Sequence, residues 1–267
     1  VDLVLVTTPP NSHHPLTLQA IASGKHVFVD KPFAMTLAEA EEMLDAAQKA
    51  GVVLHCHQSR RYDGEYQAVL RAVRAGRIGT VHHVRRVWTQ FGEGWTCWGI
   101  EGFNPTWRIQ REFGGGMVYD YVPHCGDQIL NLLDAPLQSV FADARGLKWS
   151  KEVDDHYCCL MRFDGGATAY LESTNMGRLP YPAWYVIGSD GCLSADRTGG
   201  PVQLLAEGMD EPEELPPVPA IDDLRDNVLA AVRGEAEPCV TPRQLRASMG
   251  LVDAIFESAR TGALVGF

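Results

Sequence analysis

Over the first sixty positions, short apolar runs of strand length alternate with stretches of helical period. The run Val1 to Val6 is rich in β-branched residues and is closed by the turn signal Thr8-Pro9-Pro10-Asn11. A helix is predicted from about Ser12 to Ser23, stopped by Gly24, and His26 to Val29 reads as a second strand. Thr36 and Glu39 have the spacing of a capping box. Leu37, Ala40, Met43, Leu44 and Ala47 then form one apolar stripe that Gly51 ends. A third strand follows at 52–57. Strands separated by single helices imply right-handed parallel βαβ units, which place ligands at the carboxyl ends of the strands. Both Thr7 to His14 and Asp30-Lys31-Pro32 lie at such ends.

Beyond residue 60 the pattern changes. A helix at 63–75 carries Tyr66, Val69, Leu70 and Val73 on one face, and a β-rich region follows. Its clearest piece is 156–174, two alternating runs joined by Asp164-Gly165-Gly166, a hairpin signal. Further strands are expected at 80–91, 138–147, 183–188 and 191–195. Residues 207–220 read as a proline-rich connector, and helices are expected at 221–233 and 242–260. This pattern predicts a mainly antiparallel sheet with helices on one face.

Composition narrows the function. The 267 residues carry a formal net charge of −11, and the basic pairs Arg60-Arg61 and Arg85-Arg86 stand isolated, which argues against nucleic-acid or anionic-membrane partners. Seven cysteines without a CxxC spacing indicate neither a zinc ribbon nor a closed disulfide framework, so reduced thiols in a cytoplasmic protein are expected and no metal site is. No apolar run reaches membrane-spanning length.

Two places carry candidate chemistry. Lys31 sits between an aspartate and a proline at a strand end, where an unpartnered ammonium would be costly to bury. Between Trp107 and Leu133, the glycines 114–116 precede a helix predicted at 117–133, on which Asp120 and His124 are four apart and share a face. A carboxylate beside an imidazole would raise its basicity and suit it to proton transfer. Asp127 continues that stripe less well, and Cys125 is expected to be a small buried hydrophobe.

Taken in order, TPPNSH, GKHVFVDKP, QSRRYD, GRIGTV, WR, GGGMVYDYVPHCGDQ and ESARTGALV resemble the glucose-fructose oxidoreductase/inositol dehydrogenase (Gfo/Idh/MocA) family. The resemblance spans essentially the whole chain. It implies an α/β plus α+β protein: the C-terminal half of a Rossmann-type parallel sheet over 1–58, then a mainly antiparallel open-sheet α/β domain over 59–267. The last helix would pack back towards the first domain. It further implies NAD or NADP as cofactor, hydride transfer at a carbinol carbon of a sugar or polyol, and a homo-oligomer, dimer or tetramer, formed through the open sheet.

Carried over by position, Lys31 and Pro32 match the family's Glu-Lys-Pro motif, with Asp30 in place of the glutamate. Asp120 and His124 match the substrate-side carboxylate and the proton-transfer histidine, with Asp120 orienting His124. Thr8, Pro9, Pro10, Asn11 and His13 match the loop on the nicotinamide side, and Gln58, Trp107 and Arg108 match positions near cofactor or substrate. Val122 stands where the family often has glycine.

The family's G-x-G-x-x-G fingerprint is absent from these residues. On the resemblance, Val1 to Val6 corresponds to the fourth strand of the nucleotide domain, so three strands of about 30 residues per βαβ unit are expected to be missing. NAD and NADP then cannot be told apart, residues 2–6 should form an uncovered sheet edge, and dinucleotide binding should be weak. Two other readings remain open at this point: an NAD-dependent glycosidase using the same redox step transiently, and a non-catalytic binding or oligomerisation module.

Overall fold

The computed structural model describes residues 1–93, 105–219 and 223–267, and Cys97 lies outside them. The chain opens with β1 (Leu3–Val6), α1 (His13–Ala22), β2 (His26–Val29), α2 (Leu37–Ala50) and β3 (Leu54–Cys56). These strands form a three-stranded parallel sheet in the order β1-β2-β3. Thr36 caps α2 by accepting the Glu39 N–H, but the Glu39 carboxylate reaches past it to the Met35 N–H, so the expected capping box is only half formed. Strand β1 is paired on one side only. Its Leu5 is 61% exposed, as expected of an uncovered edge.

The second region comprises α3 (Gly64–Arg74), β4 (Val81–Thr89), α4 (Met117–Tyr121), α5 (Asp127–Leu133), β5 (Leu137–Arg145), β6 (His156–Phe163), β7 (Thr168–Thr174), β8 (Trp184–Gly188) and β9 (Gly191–Ala195). It continues with β10 (Val202–Ala206), β11 (Glu213–Leu215), α6 (Asp223–Val232), α7 (Pro242–Thr261) and β12 (Val265–Gly266). The expected start of α6 at 221–222 lies outside the described residues. The sheet has nine strands in the order β11-β10-β9-β8-β4-β7-β6-β5-β12. Its pairs are antiparallel except β4 with β7, which run parallel at its centre. Alternation decides the faces: Tyr157, Cys159, Met161 and Phe163 of β6 are buried under the helices, while Leu160 between them is 51% exposed on the opposite face.

One sequence expectation changes here. The connector 207–220 is not all loop, because Glu213 to Leu215 pair with Val202 to Leu204. One arginine of each isolated basic pair turns inward. Arg61 and Arg86 are 7% and 0% exposed and donate to side-chain and carbonyl oxygens, though Arg86 Nη2 has no partner, and Arg86 also lies 4.8 Å from the Trp184 ring centre.

Polar contacts fix the segment after β3 against α5 and α7, and α7 in turn against α2. Arg61 makes a two-pronged ion pair with Asp127 of α5 at 2.7 Å on both arms, and donates to Gln244 of α7 at 3.1 Å. Asp253 of α7 accepts the first N–H of α2, from Leu37, at 2.9 Å, and Arg246 pairs with Glu41. Thus α7 packs on both the large sheet and α2. Among the described residues, no helix is long and apolar enough to cross a membrane.

Candidate functional site

The predicted helix 117–133 is helical throughout but not regular: Val122 to Gly126 form a π turn between α4 and α5. Pro123 explains the break, since it has no N–H to donate to the preceding turn. Asp120 and His124 therefore do not pair. Asp120 Oδ1 instead accepts from Lys31 Nζ and, at 2.9 Å, from Arg108 Nη1, while Lys31 Nζ also donates to the Asp120 carbonyl at 3.0 Å.

Electrostatics follow from this pairing. Burial opposes ionisation of Asp120, but Lys31 and Arg108 outweigh it and hold the carboxyl below its usual range. The His124 imidazole is pushed well below its usual value, first by burial and then by the cations Lys31 and Arg60. This reverses the expectation that Asp120 would raise its basicity. His124 is neutral near pH 7, and its buried Nδ1 has no protein partner. Asp30 accepts the Lys31 N–H at 2.9 Å and faces His57 Nδ1 at 3.3 Å. Burial works against its charge, yet His57 and Lys31 keep its pKa low.

Of these groups Asp30, Lys31, Arg108 and Asp120, but neither His124 nor His57, line a cleft of about 180 Å³ between the two regions, with Thr8, Pro10 and Pro32 beside Asp30 and Lys31 on one side. Trp107, Arg108, Gly114 to Gly116, Tyr119 and Asp120 form the other. The glycines are a strap: Gly115 N–H donates to the Gln110 carbonyl and Gly116 N–H to that of Arg108. A Cβ on Gly115 would stand 2.4 Å from the Arg108 carbonyl oxygen, so no larger residue fits.

Other expected site residues lie off the cleft wall. His13 is fully buried, its two ring nitrogens each 2.8 Å from a carbonyl oxygen, those of Pro32 and Thr8, so it braces the two loops. Pro9, Asn11 and Gln58 do not line the cleft. Gln58 is 2% exposed with Oε1 unpartnered. Sequence reasoning placed Thr7 at a strand end without giving it a role, and missed Tyr119, which lines the cleft with it, and Arg60, whose guanidinium sits 4.5 Å from the Trp88 ring centre. A hydroxyl or a basic residue beside a turn carries no periodic signal. Among the described residues, no cluster of His, Cys, Asp and Glu is placed to hold a metal.

Two family models match separate stretches of the chain. Residues 1–58 fit the model of an oxidoreductase family with an NAD-binding Rossmann fold, and residues 66–194 fit the GFO/IDH/MocA C-terminal domain. The chain is 31% identical to the 1,5-anhydro-D-fructose reductase of Ensifer adhaerens over 98% of its length and 78% of that protein. It belongs to the GFO/IDH/MocA oxidoreductase family. Within that family it is also 30% identical to the uncharacterised oxidoreductase YdgJ of Escherichia coli, spanning 88% of this chain but 64% of that protein. An NAD-binding protein from Listeria innocua superposes with a TM-score of 0.86 at 27% identity, over all of this chain and 82% of that one.

Proposed function

We propose that this chain carries the nicotinamide-proximal and substrate-binding part of an NAD(P)-dependent oxidoreductase acting on a hydroxyl-bearing carbon of a sugar or polyol. The observation that carries this reading is the assembly of one site from two regions. Lys31, from the end of β2, is held by Asp120 of α4, which also accepts from Arg108, with neutral His124 on the following turn. The chemistry also fits the nicotinamide end of a dinucleotide, because Thr8, Pro10 and the glycine strap leave a narrow cleft beside Trp107, whose buried Nε1–H has no protein partner.

When bound, the nicotinamide supplies the acceptor for a hydride. Lys31 donates to the substrate hydroxyl and stabilises the developing alkoxide. His124, uncharged, takes the hydroxyl proton. Asp120 holds and aims Lys31, which replaces its expected role of orienting His124. The relative named for 1,5-anhydro-D-fructose reduction supports a sugar or polyol as the substrate class. Phe141, Leu160, Tyr185, Ile187 and Leu205, all exposed on the outer sheet face, support a homo-oligomer through that face.

The test is NAD(P)H formation on a panel of free sugars and polyols by the intact enzyme, with release of any aglycone followed in parallel. Lys31→Ala and His124→Ala are expected to lower turnover ~100-fold or more with dinucleotide affinity changed much less. Near-normal turnover in either variant would place the chemistry elsewhere, and aglycone release would favour the glycosidase reading. Calorimetric titration of the 267-residue chain with NAD and NADP is expected to show weak binding. Micromolar affinity would put the cofactor's anchor within these residues.

A further inference from the structure

Asp154 and Asp155 stand side by side on the turn leading into β6, and each organises a different stretch of backbone. The Asp155 carboxylate accepts the N–H groups of Leu147, Lys148 and Trp149 at 2.6–2.8 Å. The Trp149 indole N–H then donates to the carbonyl of Asn175, whose own N–H returns to the Asp155 carbonyl. Asp154 faces the other way. Its Oδ2 accepts the Val118 N–H at 2.7 Å and its carbonyl accepts the Met117 N–H at 3.1 Å.

Those two N–H groups open α4, whose N-cap residue is Gly116 and which has no side-chain cap of its own. Gly116 has φ +107°, and a Cβ there would lie 2.5 Å from Asp154 Oδ1. The carboxylate thus fills the space a side chain would have taken and caps from a distant loop. Two residues further along α4 is Asp120, which holds Lys31 by its carbonyl as well as its carboxylate. Its backbone position therefore sets where Lys31 points.

We propose that Asp154 is a positioning residue for the reaction: a buried carboxylate that clamps the first turn of α4 and so fixes the Asp120–Lys31 pair, gripping when ionised and loosening when protonated. Its link to the reaction rests on the function proposed above. The clamp itself does not.

The surroundings permit a switch near neutrality. Burial pushes the Asp154 carboxyl up to about 6, against the lowering effect of the Val118 and Met117 amides. On its own loop the charged neighbours are Asp155, Glu152 and Lys151. Arg111 from the turn before the strap, Arg145 of β5 and Arg260 of α7 line the same recess, and the phenols facing it are Tyr119 and Tyr157. Arg145 and Arg260 are already paired with Asp143 and Glu257, and among the described residues Asp154 has no ion-pair partner. Because its pKa is raised on folding, ionising Asp154 costs stability as pH rises through about 6, while the charge strengthens its grip on α4. Function and stability pull in opposite directions at this residue.

The experiment is amide hydrogen exchange on the full chain from about pH 5 to 8, corrected for intrinsic rates. In the wild type, residues 117–121 are expected to gain roughly tenfold protection across pH ~6, with 127–133 unchanged. Asp154→Asn should abolish that pH dependence while melting at the same or a higher temperature near pH 7.5. Gly116→Ala, which pushes on the clamp from its other side, should lower protection at 117–121 at every pH. In active enzyme, Asp154→Asn should flatten the acid limb of kcat with KM little changed. A wild-type response spread over the whole chain, or a variant that titrates like the wild type, overturns the clamp. Absence of turnover with the exchange pattern intact overturns only the proposed reaction.

Discussion

The small parallel sheet and the large mixed sheet supply the same cleft by opposite means. The first contributes loops: β1 and β2 end, and Thr8, Asp30 and Lys31 follow directly at their carboxyl ends. The second contributes packed helical turns, with Asp120 on the cleft wall and His124 off it, both beside a core that includes Val118, Val122 and Cys125, none of them solvent-exposed. One side has an uncovered edge and few layers, and the other sets α4 and the π turn in its core. The difference teaches that the precision of the site resides in the larger region and in the ties across the junction, with Lys31 aimed from outside its own sheet.

Breaking the buried ion pair of the larger region should have the largest effect. Asp127→Ala leaves the Arg61 guanidinium, 7% exposed, without its counter-ion and is expected to cost about 3–5 kcal/mol in urea unfolding. Unchanged stability would mean that the larger region holds together without that pair. Acid should act next. His55, fully buried on β3, has its pKa lowered to about 4, chiefly by burial. The unfolded chain binds that proton first, so stability falls as pH drops from about 6.5 towards 4, by roughly 3 kcal/mol. A His55→Gln variant with a flatter pH–stability curve would assign that loss to this residue. A smaller effect is expected from Thr241→Ala, which removes the side-chain cap of α7 on the Gln244 N–H and should cost ~1 kcal/mol, read as a lowered unfolding midpoint. Least of all, Leu5→Lys on the open edge should change stability by under ~0.5 kcal/mol while lowering light scattering on concentration. A large loss there would show that β1 is covered in solution.

The same contrast governs what could be read from the sequence. Helices with a cap and a stripe were legible: α2 starts after Thr36 and ends at Gly51, and the 164–166 turn joins β6 to β7 where the hairpin signal placed it. Local signals report on such elements because their hydrogen bonds close within a few residues. Strands β10 and β11 were missed, since Glu213 and Glu214 carry no alternating apolar pattern and pair only because β10 is already there. The parallel β4–β7 pairing joins segments far apart in sequence and leaves no local trace. At the site, spacing brought out Lys31, Asp120 and His124 but assigned the wrong partnership. The i,i+4 rule presumes an unbroken ladder, and Pro123 breaks it. The role of Asp154 was invisible for a related reason: it caps a helix that begins 37 residues before it in the chain, as the Val118 and Met117 bonds show.

An ammonium has three hydrogens to give, and Asp120 takes two of those on Lys31, one at its carbonyl and one at its carboxylate. A single N–H is left for whatever enters the cleft, and its direction is set by the two bonds already made. Lys31 is thereby a pointer with one bearing. On the proposed function, a ring with many equivalent hydroxyls would have to present one of them along that line, so selection among neighbouring carbons of a polyol would be settled by the angle of a protein–protein hydrogen bond before any contact with the remainder of the molecule is counted.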